Sequence, residues 1–410
     1  AGTTVVDDLT VSDDLTVGDD LAVTGLATVG GTLGVTGIAT FTDDIIIGDG
    51  KTIGSASDVD AITIASNGQV TLTQTLIGTA LDISGDIDVD GTTNLDAVDV
   101  DGAANFAADV TFAVGADIIT ASGGTGNLRL GEDAGDAVTG NFNVLVGKDS
   151  GTALEGGAGN VGLGYRTLYT SVAGDYNTAI GREALLTSNV SGNNYNTAVG
   201  AFAGKLVTTG VDNTIIGGLA GDAITTGGNN TVLGKQALSA DTKGGTAVAI
   251  GQLALGAQNF TSATDNYNVA VGYSAGVGIT TGVQNTIIGG LAGDALTDAD
   301  KNVAVGRSAL TSDTLGSMST AIGYSALDNQ NFTSATNSRN TAVGHTAGLE
   351  GTTAVDNTLI GEQAGYYITT GSKNTILGRH TGNAGGVDIR TASNNIVLSD
   401  GDGNPRLAYV

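Results

Sequence analysis

Through residues 127–394 one pattern of polar and apolar positions recurs: Asn, a β-branched residue, a variable residue, an aliphatic residue, then glycine. Fifteen such glycines run from Gly131 through Gly181, Gly217, Gly289 and Gly361 to Gly378, in steps of 16 or 17 residues interrupted by one of 19 and two of 21. The residue just before the glycine is aliphatic in all fifteen, for example Ile180, Ile216, Ile288 and Ile360. Three before it stands Thr or Val, with Leu128 the exception, and three after it always Ala, Ser or Thr. A strand of about five residues, a turn at the glycine and a small residue against the neighbouring coil satisfy all these columns. The spacing predicts that the positions one and three before the glycine face inward together. The position two before it, mostly apolar as well (Ala179, Ile215, Ile287, Leu359), then faces the other way. A strand apolar on both faces wants cover on both, and a second copy of the chain would supply it.

Four before the glycine stands Asn in thirteen coils, including Asn177, Asn213, Asn285 and Asn357, while Ala247 and Ser319 depart. Turn chemistry and a ladder of stacked amides both account for this column. A longer period lies above the coils. Four residues after the glycine the chain reads two glycines, then two leucines, and segments such as 213–223 and 258–264 return after 72 residues. The solenoid therefore grew by duplication of four-coil blocks, each with one longer loop, at 187–195, 256–267 and 328–339. The reading is all-β: a parallel β-roll or β-helix solenoid of about fifteen coils over 127–394, and a degenerate sixteenth within a terminal cap or connection at 395–410. At ~4.8 Å per coil it would run about 70 Å. One coil alone cannot offset the backbone entropy of ordering its residues, so neighbours must hold each one.

Residues 1–126 differ in kind. Asp-Asp-Leu-Thr-Val recurs so that Leu9, Leu15 and Leu21 stand six apart, and Gly91-Thr-Thr-Asn-Leu95 is echoed by Gly102-Ala-Ala-Asn-Phe106. Short strands with a polar corner every six residues suit a narrow shaft whose chains wrap around one another. This stretch holds 20 acidic residues against the single basic Lys51, a net −19 of the chain's −27. Such charge disfavours nucleic acid and anionic membrane surfaces, which need Lys and Arg. No run of about 18 apolar residues is present to cross a bilayer as a helix.

Composition narrows the chemistry. There is no cysteine and no tryptophan, and aromatic residues make up 4% of the chain, so thiolate chemistry is excluded and the core must be small and aliphatic. The two histidines, His345 and His380, fall in columns otherwise held by solvent-type residues such as Lys148, Arg182 and Glu183. The five glutamates, Glu132, Glu155, Glu183, Glu350 and Glu362, form no local pair beside an aromatic sugar platform, which argues against a glycosidase. Aspartates at alternate positions, Asp86, Asp88 and Asp90, Asp99 and Asp101, Asp400 and Asp402, could ligate Ca²⁺ or could be acidic turns. The longer loops carry the surface candidates for receptor contact: Tyr195, Phe260, Tyr267 and Phe332. Packing between coils or between subunits is the competing role for the two phenylalanines.

The Asn-Thr-Ala-aliphatic-Gly coils, as at 177–181 and 340–344, resemble the head repeats of trimeric autotransporter adhesins. The hexads of 8–23 and the closing segment 395–406 resemble tail-fibre and other fibrous virion proteins of bacteriophages. The coils are longer than the adhesin pattern, which favours the second likeness. The resemblance implies a homotrimer that works with other virion or appendage proteins, outside the cell, attaching to a host surface receptor or glycan. The expectation is a non-enzymatic virion fibre without nucleic-acid or membrane partners and without a cofactor beyond Ca²⁺. A bacterial surface adhesin or filament subunit is the alternative, and a polysaccharide-degrading spike a more distant one.

Overall fold

The computed structural model describes residues 6, 8–42, 45–48, 51–55, 58–72 and 123–410. The chain divides into two compact units, Ala1–Ala107 and Ala108–Val410. In the first unit a bend recurs every six residues over 8–42, at the acidic corners 12–13 and 18–19 and then at Thr24-Gly25, Gly30-Gly31 and Thr36-Gly37, but no strand forms there. Among the described residues, then, the expected shaft strands are absent from this stretch of the single chain. Leu9, Leu15 and Leu21 are 59–69% exposed. Beyond them β1 (Lys51–Ser55), β2 (Asp58–Ile64) and β3 (Val70–Leu72) make an antiparallel meander. Its second turn is set by Gly68 at φ +82° and by Asn67, whose side-chain oxygen accepts the Gln69 N–H at 3.0 Å.

The second unit is a β-solenoid of about sixteen turns. Three-residue strands, one per coil from Leu128–Leu130 onward, pair in parallel and end on the four-residue Ile396–Ser399. The register never slips from one coil to the next: Thr197, Ala198 and Val199 face Thr214, Ile215 and Ile216, which face Thr231, Val232 and Leu233. The last strand is covered by Pro405–Tyr409, which folds back antiparallel and closes an edge that would otherwise invite pairing.

The inward face is the reverse of the expectation. The residue two before each glycine is the core residue: Ala179, Ala198, Ile215, Val232, Ile287 and Leu359 are buried. Ile180 and its counterparts point outward, with Ile216, Ile288 and Ile360 near 38% exposed. The interior of one coil is too narrow for large side chains in every column, so alanine fits the strand's inner position and the larger aliphatics go out. What fills the interior is shared among columns. In the coil of Gly217, Ile215 and Ile224 are the large inner residues and Gly221 lies between them; in the next coil Leu238 is large and the later position is Asp241. The backbone is left-handed at this column in either case, φ +50° at Gly221 and +49° at Leu238. Burying leucine there offsets the ~1–2 kcal/mol that the conformation costs a residue with a Cβ.

One coil is underfilled. Gly351 occupies the column of Val207 and Ile279, both fully buried, and a small void of about 10 Å³ lies between it and Leu327, Gln330, Leu359 and Ile368. A Cβ at Gly351 would meet the Gly348 carbonyl oxygen at 3.1 Å and, at ordinary contact distance, the Ile368 carbonyl oxygen at 3.6 Å. Gly351→Val should therefore raise stability by about 1 kcal/mol in a denaturation experiment, through void filling and a stiffer unfolded chain.

The Asn column is a buried ladder, interrupted at Ala247 and Ser319. Asn213 donates from Nδ2 to Asn196 Oδ1 at 3.1 Å and to the Gly227 carbonyl at 3.0 Å. Its own Oδ1 accepts the backbone N–H and the Nδ2 of Asn230, both at 3.1 Å. Asn285 and Asn357 repeat the pattern one and two blocks later, with Asn285 N–H on Asn268 Oδ1 and Asn357 N–H on Asn340 Oδ1, both at 2.9 Å. The left-handed turn residue is the one before the Asn, as at Asp212, φ +58°.

Candidate functional site

The three longer loops are where the stack departs from regularity, and each is fixed by a two-residue parallel pairing. Gly174–Asp175 pairs with Gly192–Asn193, Gly244–Gly245 with Thr264–Asp265, and Gly316–Ser317 with Thr336–Asn337. Beneath the second and third loops lies a buried polar node. Asp241 Oδ1 accepts the N–H groups of Gly244 at 2.9 Å and Phe260 at 3.1 Å, and Oδ2 accepts Gln258 Nε2 at 2.6 Å. Asp313 repeats this with Gly316 at 3.0 Å, Phe332 at 3.1 Å and Gln330 at 2.5 Å. The glutamine then replaces the missing ladder amide. Where Ala247 interrupts the Asn column, Gln258 Oε1 accepts Asn268 Nδ2 at 2.9 Å; where Ser319 does, Gln330 Oε1 accepts Asn340 Nδ2 at 2.8 Å. In the first block, Ser171 and Ser188 stand at these positions and Asn177 keeps the ladder, its Oδ1 accepting the Asn196 N–H at 3.3 Å.

Burial pushes the Asp313 carboxyl above the ordinary aspartate range. The folded state thus binds that proton more tightly than the unfolded chain, so the ionised group costs stability at neutral pH and the cost shrinks as pH falls. Asp313→Asn keeps one acceptor oxygen but sets an amide N–H against Gln330 Nε2. It should destabilise by about 1–3 kcal/mol, the range for a buried polar group left without a partner. The deficit relative to the native chain should widen as pH is lowered from neutrality, because only the native chain gains from protonation. Adding Gln330→Glu restores an acceptor both for the amide introduced at position 313 and for Asn340, so a double-mutant cycle by thermal denaturation should show most of the loss recovered.

The sequence-derived candidates separate on this geometry. Phe260 and Phe332 are only 5% and 6% exposed, packed beside Gly244 and Gly316 over the Asp–Gln node, and so are core residues rather than the expected surface contacts. Tyr195 and Tyr267 are 52% and 56% exposed, and Tyr195 stacks on Tyr176 with ring centroids 5.3 Å apart and planes 6° apart. His380 is buried rather than solvent-facing; its Nδ1 accepts the Gly382 N–H at 3.1 Å, which directs Nε2–H to the Ala384 carbonyl, also 3.1 Å away. His345 stacks on Tyr324. Glu183, placed with the solvent-type residues, is buried too. Lys205 at 2.9 Å, with Arg182 at 3.3 Å, holds its carboxyl below the ordinary glutamate range.

Asp86, Asp88, Asp90, Asp99 and Asp101 lie outside the described residues. Asp400 spends its carboxylate within its own turn, accepting the N–H groups of Asp402 at 3.1 Å and Asn404 at 2.9 Å and pairing with Arg406. Among the described residues no three His, Asp or Glu side chains converge as a metal site, and no helix is long and apolar enough to cross a membrane.

The outer face of the sheet is the other large feature. Two columns, Thr or Val and then Ile, Val or Leu, run along every coil and stay partly exposed; Leu233, Ile322 and Leu377 are 44%, 38% and 52% exposed. No family model, no curated protein and no solved structure matches this chain. The Asp–Gln nodes escaped the sequence reading, although one signal was present: seven residues after the glycine, aliphatic Val207, Ile224, Ile279 and Leu296 give way to Asp241, Gln258, Asp313 and Gln330 only in the leucine coils.

Proposed function

We propose that the protein is a non-enzymatic structural fibre of a virion or similar appendage, assembled from three copies of the chain and attaching to a host surface. The observation that carries this reading is the unbroken Thr-x-aliphatic face. Partly exposed aliphatic side chains repeat at every coil along a parallel sheet, a kind of sheet that is ordinarily covered on both faces. A sister chain with the same 17-residue repeat offers a matching surface rung by rung. The exposed Leu9, Leu15 and Leu21 need the same cover. Attachment falls to the loops, where Tyr195 and Tyr267 break the regular surface.

Light scattering of the purified full chain should return three copies per particle. Ile216→Lys, which places a charge on the outer face and leaves the inner Ile215 intact, should release folded single chains. A native protein that is well folded and monomeric would overturn the reading. New reducing ends after incubation with capsular polysaccharide would overturn its non-enzymatic part.

A further inference from the structure

An open polar groove of about 200 Å³ lies beside the second long loop. Gly227, Gly228 and Gly245 form part of its wall, and Asn229, Lys243, Thr264 and Asp265 contribute side chains. The glycines explain why it exists. In this column four other coils carry a polar side chain whose oxygen caps a backbone N–H of the coil before: Asp175 caps Ala158 at 2.7 Å, Asp300 caps Val283 at 2.7 Å, Ser317 caps Asp300 at 3.0 Å and Ser372 caps Val355 at 3.0 Å. Gly228 and Gly245 fill two consecutive steps of that column and bring no oxygen. Among the described residues, neither the Val211 N–H nor the Gly228 N–H donates to a protein acceptor. A Cβ at Gly245 would stand 2.9 Å from the Gly228 carbonyl oxygen, 3.2 Å from Asp265 Oδ1 and 3.7 Å from the Gly228 nitrogen, so both this donor and the Asp265 carboxylate border the space a capping side chain would take.

The rest of the lining is mixed in sign. Lys243 and Asp265 are both exposed, and none of the ion pairs among the described residues joins them. Around them stand an amide, a hydroxyl and the uncapped N–H. A simple anion would leave Asp265 unmatched, and a simple cation would leave Lys243 and the N–H unmatched. A ring bearing several hydroxyls, each of which donates and accepts, matches the whole set. The volume is below the ~300 Å³ at which drug-sized pockets begin, which suits one ring rather than a chain. The third block is a built-in comparison: Asp300, Leu315 and Ser317 replace Gly228, Lys243 and Gly245, and the caps are in place.

We infer that this groove binds one uncharged sugar ring of a surface glycan, with ring oxygens accepting from the Gly228 N–H and Lys243 and ring hydroxyls donating to Asp265. The inference deepens the attachment reading and rests on it. Affinity per groove is expected to be weak, with a Kd of about 1 mM, and repetition over several chains of one particle would raise the avidity.

Saturation-transfer NMR on the full chain tests this with galactose, glucose and N-acetylglucosamine, and with galacturonate as the acidic arm. Transfer to at least one neutral sugar is expected. It should be lost in Gly245→Ser, whose hydroxyl would cap Gly228 as Ser317 caps Asp300, and weakened about tenfold in Lys243→Ala and in Asp265→Ala. An unchanged melting temperature in Gly245→Ser would show that the loss is not unfolding; if that variant does not fold, the lysine and aspartate variants carry the test. No transfer to any neutral sugar, transfer to galacturonate alone, or undiminished transfer in the folded variants would overturn the inference. Any of these with a trimeric particle would sink the groove alone, whereas a monomeric particle would sink the fibre reading.

Discussion

Gly217→Ala is expected to disrupt the solenoid locally, lowering stability by roughly 4 kcal/mol or more, an effect at the far end of the range for single substitutions. Gly217 has φ +135°, a conformation essentially closed to residues with a side chain. A Cβ there would lie 2.6 Å from the Gly234 carbonyl oxygen and 2.7 Å from its carbon. Both obstacles are backbone, so no side-chain rotation relieves them; the next coil must move, and its register with the coil after it moves too. The same close approach recurs at Gly181, with Gly200 2.7 Å away, and through the whole column. Gly218→Ala is the internal control, because a Cβ at the next residue meets nothing closer than 4.0 Å and Ala201 already occupies that column one coil earlier. Urea denaturation should separate the two by several kcal/mol, with the control within about 1 kcal/mol of the native chain. Hydrogen exchange should show protection lost first around the coils of Gly200, Gly217 and Gly234. Equal stability of the two variants would mean that the coils are not stacked as closely as these contacts require.

The number of coils and the position of the strand that each coil adds to the parallel stack were legible in the sequence because a stack repeats its demands; the β1–β3 meander, the two-residue loop pairings and Pro405–Tyr409 lie outside the coil repeat and were not. The Gly column must recur wherever one backbone passes within about 3 Å of the next, so one spacing reports the whole axis. Which face is inside was not legible, for a physical reason. In Thr178-Ala179-Ile180 the most hydrophobic residue is Ile180, and burial scales place it inward; in a coil this narrow, inner volume rather than hydrophobicity decides, and Ala179 goes in. The Asp–Gln nodes join residues 17 apart through side chains, in a column that is apolar in other coils, so only comparison of columns reveals them. The groove beside the second loop is harder still to read. Gly228 and Gly245 look like two more glycines among 67, and their meaning lies in the side chains their counterparts carry.

Removing one rung of the amide ladder should cost nearly as much as blocking the glycine column. Asn213→Ala takes away the acceptor for the N–H and Nδ2 of Asn230 and the donor to the Gly227 carbonyl and Asn196 Oδ1, all in a site with no exposure. The Asn230 N–H is left without its acceptor and the Gly227 carbonyl without this donor, at ~1–3 kcal/mol each for unmet buried polar groups, so a loss of roughly 3 kcal/mol is expected. Alanine is not intolerable in the column as such, because Ala247 occupies it in the native chain. There the relief comes from outside the column: the Asn268 N–H goes to Asn266 Oδ1 at 2.9 Å and its Nδ2 to Gln258. Neither substitute is available to Asn230, because the residue two before it is Gly228, with no side chain, where Asn268 has Asn266, and the inner position corresponding to Gln258 in the coil of Gly217 is the aliphatic Ile224. Asn213→Ala combined with Ile224→Gln, whose amide would stand in the column that holds Gln258, should therefore recover part of the loss. Thermal melts of the native chain, both single variants and the double variant form the cycle. A coupling energy near zero would show that the amides act as independent turn residues and not as a ladder.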